Sequence, residues 1–537
     1  MNIARGIMKY LKSNEVKTIY GIPSGTISPL VDAFNDEDIE YIITRNEAGA
    51  SFSATKYASI TKDLGVCLIA GAVGLANGLN GIAEAMSSKS PVLVISGTVK
   101  LSQRNLGAIQ GLDLSETLSH ITKYSKTILR KEDVFNELHK AITIAKTPPY
   151  GPVHISIPLD IQLEEFNDDL PELAIGGCIS NDVDGLDNII EYINKVNTGI
   201  ILVGSGCRGL GEEVKRLSRL TGFKTITTPN GKGVIKGDFE LNLGNYGFAG
   251  SDLANEVVDS DYGECIIALG TSLGESSTRN YNKKLIEKRR LIHIDYDKDV
   301  LGRVFQEGLF CVSDLKYAID YINRKIDRKE YEEERIEKIN NDYVLDHTGL
   351  SLRLLVENIT DILPKSTFYV SDIGESINYL YKYLKINEEA DFESNLNYGC
   401  MGTGICGSIG VQKANPDMTV AAFVGDGSFF MNGFEVITAK EYNLPIIYFI
   451  INNAKYGYVD RGHQVLFGRS IDKFSHDRID ISTLCNNLGI ESIQISDIDD
   501  LNKLKDKVTM RQKPLVVEVT VDGSEPVPID RFKTLSK

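Results

Sequence analysis

The stretch AFVGDGSFFMNG, Ala422 to Gly433, sets a carboxylate, Asp426, between two glycines at the end of the apolar run Val420–Val424. A buried strand that ends on a charge needs a partner for that charge. Twenty-six and twenty-seven residues beyond Asp426 come two amides, Asn452 and Asn453, closing a second apolar run, Ile446–Ile451. If the two runs are neighbouring parallel strands, acid and amides meet at strand C-terminal ends, where open α/β sheets bind ligands. A carboxylate, an amide oxygen and nearby carbonyls suit a hard divalent cation such as Mg2+, which keeps positions open for water or phosphate oxygens. Gly425 and Gly427 let the backbone approach a phosphate closely, and Gly427 and Ser428 offer N–H groups where the next helix opens. GDG alone reads as an N-cap in an ordinary βα turn. The NN pair at the end of the next strand moves the reading to a cation–diphosphate site.

The elements that must position these residues form a long α/β chain. The runs GVCLIAG, PVLVISG, GIILVGSG, CIIALG, RLIHIDYD, TVAAFVG and PIIYFII alternate with helical stretches. Such alternation predicts three open, mostly parallel-sheet domains covered on both faces. The 537 residues exceed one core, and 42% hydrophobic with 25% charged residues is ordinary globular composition. Two connectors divide the chain: Gln162–Gly185, acidic and Gly-rich, and the charge run Arg324–Tyr343, read as a solvated helix. The expected domains are 1–165, 180–325 and 345–537. Gly71 to Pro91 and Gly425 to Pro445 enclose the same distance, so the first and last thirds read as two related domains with a different one between them. A net charge of −16 argues against a nucleic-acid surface. No segment is apolar over a membrane-spanning length, the N-terminus MNIARGIMKYLKSNEV reads as an amphipathic helix, and eight scattered cysteines read as reduced core residues. A cytoplasmic protein is expected, with no nucleic-acid or membrane partner.

GDGS followed by NN resembles the thiamine-diphosphate motif of the pyruvate decarboxylase and acetolactate synthase superfamily. The resemblance implies that Asp426, the Asn453 side chain and the Lys455 carbonyl hold Mg2+, which bridges to the cofactor diphosphate. It also sets Gly425, Gly427, Ser428, Tyr456 and Gly457 against the cofactor. YGIPSGTISPLVDAF and TRNEAGASFSATKYA resemble the pyrimidine-binding domain of the same superfamily. They place Glu47 at the catalytic glutamate, with Asn46 where the family usually carries His. A carboxyl group there shares a proton with the cofactor's aminopyrimidine, and shelter from water would raise its pKa toward that task. Read alone, Glu47 is a surface or capping residue. AIQGLDLSETLSHITKYS resembles the synthase segment that puts a glutamine, here Gln110, over the cofactor. In NYGCMGTGICGSIG, the resemblance makes Met401 the wedge that bends the cofactor and the Gly399 carbonyl an acceptor for its amine; by composition Met401 is a core methionine. SDIGESI places Gly374 and Ser376 at the diphosphate, and GPVHISIPLDIQ closes the first domain.

The departures bear on substrate. The chain has no His-His pair, and Val459 stands where simple decarboxylases carry a glutamate, which leans toward the synthases. Yet it has no Trp, and RGHQ at 461–464 replaces the synthase Trp-Gln. LGTSLGESST stands where FAD-binding synthases carry an Arg followed by acidic residues, so FAD is not expected. Glu375 would repel phosphates unless it turns away. The resulting expectation is decarboxylation of a 2-oxo acid, pyruvate by resemblance, with transfer of the acyl unit to a second carbonyl compound. His463 is a candidate acid–base residue at the mouth, or a surface His. The alternatives are a decarboxylase releasing an aldehyde and a non-catalytic relative. The resemblance also implies a homodimer or homotetramer, with the first and last domains of a site coming from different subunits.

Overall fold

The computed structural model describes residues 1–167, 169–329, 350–394, 396–509 and 511–528. The first sheet comprises β1 (Thr18–Gly21), β2 (Glu40–Ile43), β3 (Gly65–Ile69), β4 (Val92–Thr98), β5 (Tyr124–Thr127) and β6 (Val153–Pro158), in the order β2-β1-β3-β4-β6-β5. The second comprises β7 (Gly199–Val203), β8 (Lys224–Thr227), β9 (Asn242–Asn245), β10 (Cys265–Leu269), β11 (Arg290–Asp295) and β12 (Leu309–Val312). Its order, β12-β11-β10-β7-β8-β9, is that of a doubly wound nucleotide-binding sheet. The third comprises β13 (Thr367–Ser371), β14 (Asp391–Ser394), β15 (Thr419–Gly425), β16 (Ile447–Asn452), β17 (Ser492–Ile495) and β18 (Leu515–Thr520), in the order β14-β13-β15-β16-β18-β17. The strand pairs in the third sheet are parallel, β15 beside β16 with Gly425 opposite Ile451. Those of the first two sheets are parallel as well.

Every apolar run quoted above forms a strand. The first and third sheets share one strand order, as the equal Gly-to-Pro spacings anticipated, and the middle sheet differs. One apolar core joins the two related sheets: Tyr20, Cys67 and Val94 from the first and Phe368, Val420 and Tyr448 from the third enclose the helices Glu47–Thr61 and Thr403–Ala414. These helices approach closely because their contact rows carry small residues. A Cβ on Gly410 would stand 2.0 Å from the Ser53 carbonyl oxygen, so only glycine fits.

Charges tie the edge strand β14 to the other two domains. Lys56, fully enclosed, reaches Glu393 at 2.9 Å and Glu84 at 3.5 Å, while Arg208 pairs with Asp391 at 2.8 Å and Glu393 at 2.6 Å. Burial pushes the Lys56 ammonium down, but the facing carboxylates outweigh it and hold the group charged.

The first connector begins later than the composition indicates. Gln162 lies in the short helix Leu159–Leu163, is buried, and donates to the Thr26 and Ile157 carbonyls at 2.8 Å each. The following segment leans on the first domain through the Phe166 N–H to the Met1 carbonyl and the Ala174 N–H to Asn14. Its polar composition conceals that anchoring, because the hydrogen bonds are made largely by backbone. The charge run enters the structure only as the end of the helix Leu315–Lys325 and the few residues after it; residues 330–349 lie outside the described residues. The eight cysteines are free, six of them buried. No helix among the described residues is long and apolar enough to cross a membrane.

Candidate active site

Three strand ends of the third sheet converge: β13, β15 and β16, with β13 and β15 at the point where the strand order reverses. That reversal opens a crevice at the carboxyl edge of a parallel sheet. Asp426 follows β15 and is buried; its Oδ1 accepts the Gly427 N–H at 2.7 Å and its Oδ2 the Ala454 N–H at 2.8 Å. Burial raises its pKa, and these N–H groups with His476 pull against the rise. The register that pairs Gly425 with Ile451 is what sets Asp426 beside the Asn453 turn.

The two asparagines divide their tasks. Asn452 is spent on structure, donating to Glu518 at 2.5 Å and to the Ile479 carbonyl at 2.9 Å. Asn453 faces the crevice: its Nδ2 donates to Glu375 Oε2 at 2.9 Å and its Oδ1 accepts the Lys455 N–H at 3.1 Å. Ala454, at φ +55°, turns the chain so that Lys455 follows on the same side. The Lys455 ammonium leaves the crevice for Asp460, at 2.5 Å.

Glu375 does not turn away from this site. Its carboxylate bonds Asn453 on one oxygen and Arg461 Nε at 3.1 Å on the other, while Arg461 also donates to the Gly523 and Glu525 carbonyls. Burial raises the Glu375 pKa and the Arg461 charge opposes it. The pair answers the repulsion anticipated from sequence: the guanidinium offsets the carboxylate, and the carboxylate fixes which way the Asn453 amide points.

Glycines clear the space around these donors. Gly374, Gly399 and Gly425 have nothing within 4 Å of where a Cβ would stand, and the first two have φ of +147° and +79°. At Gly427 a Cβ would come within 3.0 Å of both the Met401 Cε and the Tyr456 ring, which brings these three residues together. A Cβ on Gly457 would meet Glu375 Oε2 at 2.2 Å. Ser376 and Ser428 are buried at the starts of the helices after β13 and β15. Among the described residues no three His, Cys, Asp or Glu side chains form a metal cluster. The candidate cation set is of mixed type: the Asp426 carboxylate, the Asn453 amide oxygen and the Lys455 carbonyl. These are the hard oxygen donors that Mg2+ takes alongside a phosphate, so the residues fit that group.

Glu47 lies in the first domain, as the first residue of its helix, whose cap is the Asn46 side chain on the Ala48 N–H at 2.8 Å. Its Oε2 accepts from Asn77 Nδ2 at 3.0 Å, and Gly74 leaves room for it, since a Cβ there would lie 3.2 Å from Oε1. Within one chain Glu47 is only partly buried. Gln110, at φ +62°, sits on a loop whose neighbours Ile109 and Leu112 are 90% and 67% exposed. Asp113 pins the end of that loop by accepting from the Ser115 N–H, the Thr127 hydroxyl and Arg104. Among the described residues no hydrogen bond joins Glu47 or Gln110 to Asp426, Asn453 or Met401. His463, on the helix Gly457–Phe467, is bonded through Nδ1 to the Arg469 carbonyl at 2.7 Å and packs on Phe467 and Phe474, a local arrangement with the end of its helix and the segment that follows.

Three neighbours escaped the sequence reading. Asp372, buried after β13, accepts the Ile373 N–H at 2.7 Å and the Gly402 N–H at 3.0 Å, which ties the Gly399–Gly402 turn to the crevice. Burial pushes its pKa up to about 7. Its signal was present, because the run Phe368–Ser371 ends on a charge just as Val420–Val424 does. Arg461 carries no signal before Glu375 is seen opposite it. His476 is the third, with Nε2 at 3.6 Å from Asp426 Oδ2; it arrives from a loop twenty-three residues past Asn453, where spacing says nothing.

Comparisons with known proteins cover most of the chain. Residues 1–117 match the model of the N-terminal TPP binding domain of thiamine pyrophosphate enzymes, residues 186–322 that of their central domain, and residues 372–519 that of their C-terminal TPP binding domain. The chain is 27% identical to the probable acetolactate synthase large subunit of Methanocaldococcus jannaschii, over 98% of this chain and 93% of that protein. It is 26% identical to the acetolactate synthase isozyme 2 large subunit of Escherichia coli, over 98% and 97%. It is 27% identical to the acetolactate synthase large subunit of Lactococcus lactis, over 97% and 92%. With all three domain models matched in order over most of its length, the chain belongs to the thiamine pyrophosphate-dependent enzyme family.

Proposed function

We propose that this enzyme decarboxylates a 2-oxo acid, pyruvate in the first instance, and transfers the acyl unit to a second carbonyl compound. The observation that carries the proposal is the convergence of Asp426, Asn453 and Lys455 at adjacent strand ends beside the open space at Gly374, Gly399 and Gly425. In this reading Asp426, the Asn453 Oδ1 and the Lys455 carbonyl hold a divalent cation, Mg2+ by resemblance, and through it the cofactor diphosphate. Thiamine diphosphate, when bound, supplies the electron sink for the carbanion left as CO2 departs. Met401, Gly427 and Tyr456 form the wall against which it lies, and Gly399 offers its carbonyl. Glu47 holds and returns a proton at its carboxyl oxygen, oriented by Asn77. Gln110 orients the oxygen of the bound substrate. The relatives named acetolactate synthase support the carboligase outcome over simple aldehyde release.

We also propose domain limits of 1–165, 180–325 and 345–537, a cytoplasmic enzyme, and function as a homodimer or homotetramer. The oligomer is supported by the resemblance, which takes the first and last domains of a site from different subunits; among the described residues no hydrogen bond joins Glu47 or Gln110 to the cation set. It is supported too by the exposure of Met431 at 58% and Phe434 at 60%, next to the site. Work without FAD completes the reading. The support for this is the segment LGTSLGESST, which stands where FAD-binding synthases carry an Arg followed by acidic residues.

Product analysis tests the proposal. Purified protein with thiamine diphosphate, a divalent ion and pyruvate should release CO2 and form a two-acyl condensation product, and Glu47→Gln should lower the rate by about 10²- to 10⁴-fold. Free aldehyde as the sole product would replace the carboligase reading with the decarboxylase one. Equal rates in wild type and Glu47→Gln would remove Glu47 from its role.

A further inference from the structure

We infer that Glu435 is a positioning residue for Glu47: its carboxylate, brought from the third domain, fixes the turn from which the Glu47 helix starts. The inference rests on the reading of Glu47 as the group that exchanges a proton with the cofactor. Its ground is a buried acid with one oxygen spent on the two residues just before Glu47.

The chain between β2 and the helix Glu47–Thr61 is gripped by the helix Glu435–Glu441 and the Tyr442 that ends it. Glu435 is 1% exposed, and its Oε1 accepts the Arg45 N–H at 2.9 Å and the Asn46 N–H at 3.0 Å. Its Oε2 accepts the Thr438 hydroxyl at 2.7 Å. Tyr442 holds the strand side of the same turn: its hydroxyl accepts the Ile43 N–H at 2.8 Å and donates to the Tyr41 carbonyl at 2.9 Å. The Arg45 guanidinium pairs with Glu441. A Cβ on Gly49 would meet Glu435 Oε1 at 2.2 Å, so the carboxylate sits against the first turn of the Glu47 helix, where only glycine leaves it room.

The hydrogen bonds to this carboxylate come from donors, which matches an ionised acid that can only accept. Burial pushes its pKa up to about 6, while the Thr438 hydroxyl and the two N–H groups pull against that rise. Glu47 is thereby bracketed. Ahead of it, Glu435 holds the Arg45 and Asn46 N–H groups, and the Asn46 carbonyl accepts the Thr44 hydroxyl at 2.9 Å. Behind it, the Asn46 side chain holds the Ala48 N–H at 2.8 Å. Glu47 is the first residue of its helix, whereas Asn77, which orients its carboxyl, stands on the separate helix Ala72–Ser87. A tilt of the turn therefore moves the Glu47 carboxyl relative to everything it must meet. A misplacement of about 1 Å costs about 10²-fold in rate. Glu435 acts through Glu47, from between two helices, and not on the substrate.

Two measurements on the full-length protein test this. In the free chain, deuterium exchange at the Arg45 and Asn46 amides should be slow in wild type and fast in Glu435→Ala. It should stay slow in Glu435→Gln, whose amide oxygen can still accept both N–H groups. With thiamine diphosphate and a divalent ion bound, exchange of the proton at C2 of the thiazolium ring is read by acid quench and NMR. That exchange should slow by about 10²-fold in Glu435→Ala and recover in Glu435→Gln. Gly49→Ala displaces the carboxylate with Glu435 kept and should follow Glu435→Ala, so an alanine variant that fails to fold does not shield the inference. Tyr442→Phe cuts the other half of the grip and should leave C2 exchange at the wild-type rate. Unchanged C2 exchange in Glu435→Ala or Gly49→Ala overturns the Glu435 assignment and leaves the Glu47 reading standing. Equal slowing in Tyr442→Phe overturns it too, since the effect would then be one of domain cohesion. C2 exchange unchanged in Glu47→Gln overturns the reading beneath both.

Discussion

Replacing Asp426 by asparagine separates what this residue does for the fold from what it does for the cation. In the free protein both carboxylate oxygens accept a backbone N–H, from Gly427 at 2.7 Å and Ala454 at 2.8 Å. Asparagine has one acceptor oxygen, so one buried N–H would face an NH2 group, at a cost of about 1–3 kcal/mol. Against that, burial raises the Asp426 pKa, which means that the ionised group is itself unfavourable in the free fold, and the neutral amide relieves this. The two effects oppose each other, and the free variant should lie within about 2 kcal/mol of wild type. Ligand binding breaks that balance. At one hundred times the dissociation constant the wild type gains about 2.7 kcal/mol from cation and cofactor. For a domain of this size each kcal/mol moves the midpoint by about 2–4 °C, so the shift is about 5–10 °C. Asp426→Asn should unfold near the wild-type temperature when free and show almost none of that shift when thiamine diphosphate and the metal are added. Scanning calorimetry with and without the ligands measures both quantities. A ligand-induced rise in the variant equal to that of wild type would refute the assignment of Asp426 to the cation.

Three further outcomes follow from the same geometry. Gly427→Ala puts a methyl group 3.0 Å from both Met401 Cε and the Tyr456 ring; it should cost about 1–3 kcal/mol in urea unfolding and weaken cofactor affinity, and unchanged affinity would contradict the wall assigned to these residues. Asp372 has its folded pKa raised to about 7 from an unfolded value near 4, so its contribution is full below pH ~4 and is lost as pH rises through about 7. The free protein should lose on the order of 1 kcal/mol per pH unit across that window from this group, and Asp372→Asn should flatten the profile; parallel wild-type and variant profiles would show that the carboxyl does not titrate there. Lys56→Met strands Glu84 without its cation and leaves Glu393 to Arg208 alone, and should destabilise the chain by about 3–5 kcal/mol in denaturant unfolding; a change below about 1 kcal/mol would show the cluster to be hydrated.

The local signals in the sequence were strongest where chemistry and backbone geometry coincide. A parallel strand is an unbroken apolar run, so Val420–Val424 and Ile446–Ile451 announced both the sheet and the places where it stops, and Asp426 and Asn453 stand at those stops. The equal Gly71–Pro91 and Gly425–Pro445 spacings, which any βαβ unit could share, stand in two sheets of one strand order, and it is the strand order that relates them. The limits of this legibility show in Gln162, read as linker and found buried, and in Glu375, expected to avoid the site and found gripping Asn453.

What the sequence determined by itself is the set of strand ends and the residue types placed on them, since hydrophobic run length and turn residues are local properties. Tertiary structure alone decided the company those residues keep. Arg461 neutralises Glu375 from a helix eighty-six residues away, and His476 reaches Asp426 only because the 474–476 segment folds back onto the Asn453 turn. Whether a buried charge is paired depends on atoms brought together through space, and no one-dimensional spacing encodes that.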